Sequence, residues 1–309
     1  MLRIIEFTDD ATRVVERITP HTWIHAISPS DTDLSQLQES GIPSELLIHA
    51  LDFEERSRVV KRGEIVFMVI HLPYQQKDES KIPYATAPVS IFLLPEHLVT
   101  IEPKAMGLFE MLSVNPPSGL TPNDKIRFVL NLILHAASEY LINLRDINLA
   151  VEETEDHLQS SLRNREVLQL LNYQKNLVYF STALNSIELM LEKLRNGGFL
   201  QWSSEDQDLA EDAQIEIRQA VYLVDIAQNI LTQMMDAFAS IVSNNLNTVM
   251  KFLAAMTIII SVPTLIASIY GMNVPLPGES AMQTFGYLLA LSGMLTVLVI
   301  ILFRRMDWL

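Results

Sequence analysis

Thr257, Ser261, Thr264 and Ser268 follow one another at intervals of four, three and four residues inside a long apolar stretch. At about 100° per residue they share one narrow stripe of a helix. Small hydroxyl residues on one helix face serve close packing inside a membrane, or they line a water-filled path when several such helices surround an axis. Periodicity alone leaves both readings open. Just beyond the stripe stands Tyr270-Gly271-Met272-Asn273, whose side-chain amide and backbone carbonyls supply neutral oxygens. Two acidic clusters, Glu152, Glu153, Glu155, Asp156 and Glu205, Asp206, Asp208, Glu211, Asp212, could also meet cations, although such runs are commonly solvated helix faces.

Other chemistries find little support. The chain has no cysteine, which removes disulfides, thiolate metal sites and thiol nucleophiles. His21 and His25 are spaced to share one face of a strand, but no third metal ligand accompanies them, so hydrogen-bonded or exposed strand histidines are expected. His135 and His157 fall on helical segments without H-E-x-x-H spacing, and neither G-x-G-x-x-G nor G-x-x-x-x-G-K-[ST] occurs. Nothing in these patterns argues for an enzyme.

The elements that must position the stripe are two apolar runs, Phe252 to Tyr270 and Phe285 to Phe303, between which the only charged residue is Glu279. Each is about 19 residues, roughly 28 Å of helix, which matches the hydrocarbon thickness of a bilayer. Pro275, Pro277 and Gly278 between them suit a turn. The chain is therefore expected to carry a C-terminal membrane hairpin and no N-terminal secretory signal. Pro263 within the first span removes one backbone donor, so a bend or a freed carbonyl is expected there. Lys251, Arg304 and Arg305 flank the spans while the connecting loop has no Lys or Arg, which places both termini in the cytoplasm. A formal charge of −15 is no nucleic-acid footprint and suits a body that gathers cations.

A Gly-Met-Asn triplet closing the first of two C-terminal membrane helices, with Pro263-Thr-Leu-Ile-Ala-Ser-Ile-Tyr270 leading to it, resembles the CorA family of divalent-cation channels. Trp23 to Ile27, Leu46 to Asp52 and Glu55 to Val59 look like that family's cytoplasmic domain, with Ser57 where proline is common. The resemblance implies a funnel-shaped homopentamer in the cell membrane, with Gly271, Met272 and Asn273 as the selectivity filter for hydrated Mg²⁺. Mg²⁺ gives up its water reluctantly, so neutral oxygens can hold it by its outer shell. Gly271 would let the chain leave helical geometry there; a helix cap at Asn273 is compatible with the same role.

Carried over residue by residue, the resemblance makes Thr257, Ser261, Thr264, Ser268, Asn247 and Asp236 pore-lining. Periodicity places Asn247 and Asp236 off the centre of the stripe, so these two rest on resemblance alone. The stripe extends back through Leu253, Met250, Leu246, Ser243, Ala239, Met235, Thr232 and Gln228. Met250 and Leu253 would form apolar rings able to gate by dewetting, although a coiled-coil seam has the same period. The resemblance further implies regulatory Mg²⁺ at Asp212, with Asp78 or Glu79 as partner. Ion choice stays open: a relative that carries Co²⁺, Ni²⁺ or Zn²⁺, with or without proton coupling, shares the same triplet and is a second reading, and a non-conducting metal sensor is a third. Absent cysteine and an oxygen-rich path lean towards a hard cation. The outer loop Val274 to Gln283 lacks the family's frequent proline-glutamate pair, and the tail is short in basic residues.

Composition divides the rest. Eleven of the 14 prolines lie at or before Pro122 and none follows until Pro263. Residues 1–120 read as a cytoplasmic α/β domain, with strands at 2–7, 13–18, 22–27, 64–71, 89–94 and 98–101 and helices at 31–39 and 43–51. Residues 121–251 read as a helical hairpin and stalk, 252–270 as the first span, 271–284 as the outer loop, 285–303 as the second span and 304–309 as a cytoplasmic tail. Asn196-Gly197-Gly198 marks a helix end, Ser204 to Gln207 a capping box, and one helix is expected from about 204 to 270.

Overall fold

β-Branched and aromatic residues are concentrated in the strand segments of the first hundred positions, which assemble one mixed sheet. The computed structural model describes residues 1–8, 11–15, 17–19, 22–76, 83–106, 125–160, 164–274 and 283–309. Its strands are β1 (Leu2–Thr8), β2 (Ala11–Val15), β3 (Thr22–Ile27), β4 (Arg58–Arg62), β5 (Ile65–Gln75), β6 (Tyr84–Leu93) and β7 (Leu98–Glu102). They lie in the order β2-β1-β3-β7-β6-β5-β4, with β3 and β7 parallel and the other neighbours antiparallel. Residues Met1–Gln233 and Met234–Leu309 form two compact units.

One sheet face is covered by α1 (Asp31–Glu39) and α2 (Ser44–Leu51). Leu37, Leu46, Leu47 and Ala50 of these helices pack with Ile24, Ala26, Phe67, Val69, Phe92, Val99 and Ile101. Alternation along the strands puts those sheet residues on one side. Phe67 and Phe92 are cross-strand partners whose ring centroids stand 4.8 Å apart. At the start of α1, Ser30 and Asp33 form a reciprocal capping box.

The other sheet face carries a buried polar chain. Trp23 Nε1 donates to Thr100 Oγ1 at 2.8 Å, and His25 Nδ1 lies 2.8 Å from the same hydroxyl. His25 Nε2, on the other side of the ring, stands 3.0 Å from Glu102 Oε1. Glu102 Oε2 accepts the Met106 N–H at 2.8 Å. Trp23, His25, Thr100 and Glu102 are all buried, and the Trp23 ring meets Phe128 edge-on at 5.3 Å. The Nδ1 contact with Thr100 supports the hydrogen-bonded reading of this histidine; His21 lies outside the described residues.

Four long helices follow: α3 (Lys125–Ser160), α4 (Asn164–Asn196), α5 (Ser204–Tyr270) and α6 (Thr284–Arg305). Tyr140 of α3 donates its hydroxyl to the His71 carbonyl at 3.0 Å. The first part of α5 buries Ala210, Ala213, Ile217, Ala220, Val224, Ala227 and Leu231, a seam of alternating three- and four-residue steps. Arg218 to Glu188 at 2.7 Å and Ser181 to Asp225 at 3.2 Å flank the seam from α4. The capping box of α5 is one residue earlier than expected. Ser203 Oγ accepts the Asp206 N–H at 3.1 Å while Asp206 Oδ2 accepts the Ser203 N–H at 3.1 Å. Asp206 outcompetes Gln207 because a carboxylate accepts more strongly than an amide.

Two predictions arise from this unit. At the end of α4, a Cβ on Gly197 would stand 2.0 Å from Phe199 Cε2 and 2.6 Å from the Lys193 carbonyl, while Gly198 holds φ +62° with open space around it. Gly197→Ala is therefore expected to cost about 1–3 kcal/mol and Gly198→Ala about 1 kcal/mol, read as a larger loss of thermal stability for the former. His71, in turn, is pushed down to about 4 by burial, from an ordinary value of 6.5. The unfolded chain then binds a proton that the folded chain refuses between those two values. Stability contributed by neutral His71 is whole above pH 6.5 and is lost as pH falls towards 4. At roughly 1.4 kcal/mol per pH unit the total is up to about 3 kcal/mol. His71→Asn should flatten the acid limb of the thermal-stability profile relative to wild type.

Candidate ion pathway

The hydroxyl stripe lies on α5 in the second unit. Thr257 Oγ1 donates to the Leu253 carbonyl at 2.8 Å, Ser261 Oγ to the Thr257 carbonyl at 2.7 Å, and Thr264 Oγ1 to the Ile260 carbonyl at 2.9 Å. Each hydroxyl has one proton and spends it on its own helix. What these three side chains present outward is lone pairs. Such a surface accepts hydrogens from water, including the outward-pointing hydrogens of a cation's hydration shell, and offers no donor to an anion. Thr257, Ser261, Thr264 and Ser268 are exposed on the chain, as are Met250 and Leu253.

The helix passes through Pro263 without interruption. It ends at Tyr270, and the Gly271 N–H bonds the Ala267 and Ser268 carbonyls at 3.0 and 3.2 Å. Gly271 leaves the helix here without adopting positive φ, which only Gly41, Gly63 and Gly198 show among the described glycines. A Cβ on Gly271 would meet the Ala267 carbonyl oxygen at 3.3 Å, so the absent side chain permits a tight exit. Asn273 lies three positions past the last helical residue and is exposed, so it is not the helix cap. Met272 and Asn273 project from the turn that follows.

Asn247, Asp236 and Asp212 are exposed on α5. Asp78 and Glu79, proposed partners of Asp212, lie outside the described residues, as does Glu279. Among the described residues no group of three or more His, Asp or Glu is placed to hold a metal ion. The two acidic clusters differ from each other. Glu152, Glu153 and Asp156 are exposed on α3, in keeping with a solvated face. Glu205 and Asp206 instead engage Arg127, Asp206 Oδ1 at 3.2 Å from the guanidinium Nε. Burial raises the Asp206 carboxyl, but hydrogen bonds from Ser203 and from Arg127 outweigh it and hold the group below the usual carboxylate range. Sequence reading missed this Arg127 partner because its 79-residue separation from Asp206 leaves no local trace.

Among the described residues two helices, α5 and α6, are long and apolar enough to cross a membrane. Along them apolar side chains face outward: Ile260 is 64 %, Leu265 62 % and Phe285 74 % exposed. α6 ends at the C-cap Met306, and Phe303 stacks on Trp308 with centroids 5.4 Å apart.

The described chain thus combines an α/β sheet unit, a 67-residue helix followed by Gly-Met-Asn, and a second apolar helix. The chain matches the family described as CorA-like Mg²⁺ transporter protein over residues 20–305, and it belongs to that family. It is 29 % identical over 296 residues to the cobalt/magnesium transport protein CorA of Methanocaldococcus jannaschii, covering 93 % of this chain and 90 % of the relative. It is 24 % identical over 319 residues to the cobalt/magnesium transport protein CorA of Thermotoga maritima, covering 99 % and 90 %. In fold it is similar to the complete structure of the CorA magnesium transporter from M. jannaschii, with a TM-score of 0.87 at 24 % identity over 100 % of this chain and 99 % of that one.

Proposed function

We propose that this chain is a homopentameric divalent-cation channel of the cell membrane that passes Mg²⁺ inward down its electrochemical gradient. The observation that carries the reading is the state of α5 beyond Phe238. Every residue from Ala239 to Ala254 is exposed on the lone chain, apolar Ile241, Val242, Leu246, Val249, Met250 and Leu253 included. These apolar residues cover one half of the helix, and an exposed apolar face of that width calls for other copies and for lipid. Around an axis of five such helices, the outward lone pairs of Thr257, Ser261 and Thr264, with Ser268, line the path. Gly271, Met272 and Asn273 select the hydrated ion at its entrance. Met250 and Leu253 form the hydrophobic gate, with Asn247 and Asp236 on the cytoplasmic approach.

Both termini lie in the cytoplasm in this reading. The cytoplasmic part comprises 1–120 and 121–251, the spans are 252–270 and 285–303, the outer loop is 271–284 and the tail 304–309. Co²⁺ is a second cargo, since both curated relatives are named for cobalt and magnesium. Internal Mg²⁺ closes the channel by screening carboxylates at Asp212 and at Asp78 or Glu79 of a neighbouring copy. In proteoliposomes, raising internal Mg²⁺ should reduce influx, and Asp212→Asn should shift the inhibitory concentration upward several-fold. An unshifted Asp212→Asn curve would remove that residue from the regulatory site.

A further inference from the structure

The first unit contains a cleft of about 270 Å³, remote in sequence from the ion pathway, lined by Glu54, Arg56, His71, Thr86, Tyr179, Thr182, Ala183 and Ser186. Three structural layers meet there. Glu54 and Arg56 come from the turn between α2 and β4, His71 and Thr86 from the β5–β6 pair, and the remainder from α4. On α4 the lining positions are spaced three, one and three residues, which places them on one helical face.

The charges at its rim are unevenly matched. Glu55 is used twice, by His49 at 3.0 Å and by Arg58 at 2.9 Å. Its neighbours Glu54 and Arg56 are exposed, and among the described residues neither forms an ion pair, with each other or elsewhere. Residues of opposite charge thus line one small cleft without an ion pair between them. Arg presents a fork of donors suited to a carboxylate, and Glu54 presents acceptors only.

The walls are equally specific about donors and acceptors. Thr182 Oγ1 donates to the Val178 carbonyl and Ser186 Oγ to the Thr182 carbonyl, each at 2.8 Å, so both hydroxyls turn lone pairs outward. His71 Nδ1 is engaged with Ser57 Oγ at 3.1 Å. Burial holds the His71 ring neutral near pH 7, so it adds no second positive charge. Ligand clefts are ordinarily apolar with a few placed polar groups; this small one also presents mostly apolar surface, with Glu54 and Arg56 as its charged residues, which fits a small ligand with a charged head and an apolar remainder.

We propose that this cleft binds a small zwitterionic metabolite of the free amino acid type, its carboxylate on Arg56 and its ammonium on Glu54 with the α4 hydroxyls as further acceptors. A simple anion would meet the Glu54 carboxylate, and a simple cation would meet Arg56. The inference stands apart from the ion pathway, and its test reads binding and no flux.

The test uses the purified full-length chain in detergent, titrated calorimetrically with each of the free L-amino acids in turn. Inorganic phosphate serves as the anion-only arm and putrescine as the cation-only arm. The expected result is saturable binding of one or more amino acids, weakened at least about tenfold by Arg56→Gln and, separately, by Glu54→Gln. Unliganded thermal stability should be unchanged in both variants, since both side chains are exposed. Binding of phosphate that strengthens in Glu54→Gln would overturn the proposal in favour of an anion site. Binding of no amino acid, or amino acid binding indifferent to both substitutions, would overturn it outright.

Discussion

Asn273→Ala is expected to reduce Mg²⁺ flux through the reconstituted protein by on the order of a hundredfold while leaving the folded oligomer intact. Asn273 is exposed beyond the end of α5 and supports no buried structure in the chain, so its removal should not unfold the protein. In the proposed pentamer, five copies of one amide around the entrance would act on the same ion. If each contributes about 0.5–1.5 kcal/mol of hydrogen bonding to the hydration shell, losing all five costs about 2.5–7.5 kcal/mol, a range that spans the roughly 2.7 kcal/mol of a hundredfold change. Asn273→Asp separates charge from oxygen placement. It keeps an acceptor at the site but converts a neutral ring to an anionic one, so ions should bind more tightly and leave more slowly. Flux measured with a Mg²⁺ indicator inside proteoliposomes distinguishes the two variants.

The second large effect concerns stability. Thr100→Val preserves shape and removes the hydroxyl that receives Trp23 Nε1 and faces His25 Nδ1, each at 2.8 Å. Both groups are buried and would have no replacement partner in the valine side chain. Each unsatisfied buried polar group costs about 1–3 kcal/mol, so the expected loss is roughly 2–5 kcal/mol. The melting temperature of the full-length chain, followed by tryptophan fluorescence, should fall by many degrees. Thr100→Ser retains the hydroxyl and should restore most of the loss, which separates the hydrogen bonds from the packing.

These two sites differ in how far the sequence reveals them. The triplet at Gly271 to Asn273 is contiguous and stands after an apolar run, so one stretch of residues carries the whole signal. α5 is legible for the same reason: Ser203 to Tyr270 contains no breaker but Pro263. The Trp23–Thr100–His25–Glu102 chain depends on β3 lying parallel to β7, in a register that pairs His25 with Thr100 across 75 residues. No periodicity within either strand specifies that pairing. β4 was passed over because only Val59 of its five residues is buried; an edge strand flanked by arginines lacks the alternation that marks an inner one.

Prolines misled the reading of strand length. β5 was expected to stop at His71 and β6 to begin at Val89, next to Pro73 and Pro88 respectively. The strands in fact run to Gln75 and from Tyr84, with Pro73 opposite Thr86 and Pro88 opposite His71. β4 pairs with β5 only up to Val69, and β7 pairs with β6 only from Ser90. Both prolines therefore lie where the β5–β6 hairpin extends past its outer neighbours. A missing N–H on that bare side breaks no ladder bond, which is where sheets tolerate proline.

The most direct test of the central claim is ion uptake by proteoliposomes containing the wild-type chain, with Mg²⁺, Co²⁺ and Zn²⁺ offered singly at fixed membrane potential and low internal Mg²⁺. The account predicts Mg²⁺ influx that follows the potential, accompanied by Co²⁺ influx and independent of a pH gradient. Well-folded protein that passes no divalent cation, or that passes Zn²⁺ under a pH gradient and little Mg²⁺, would contradict it.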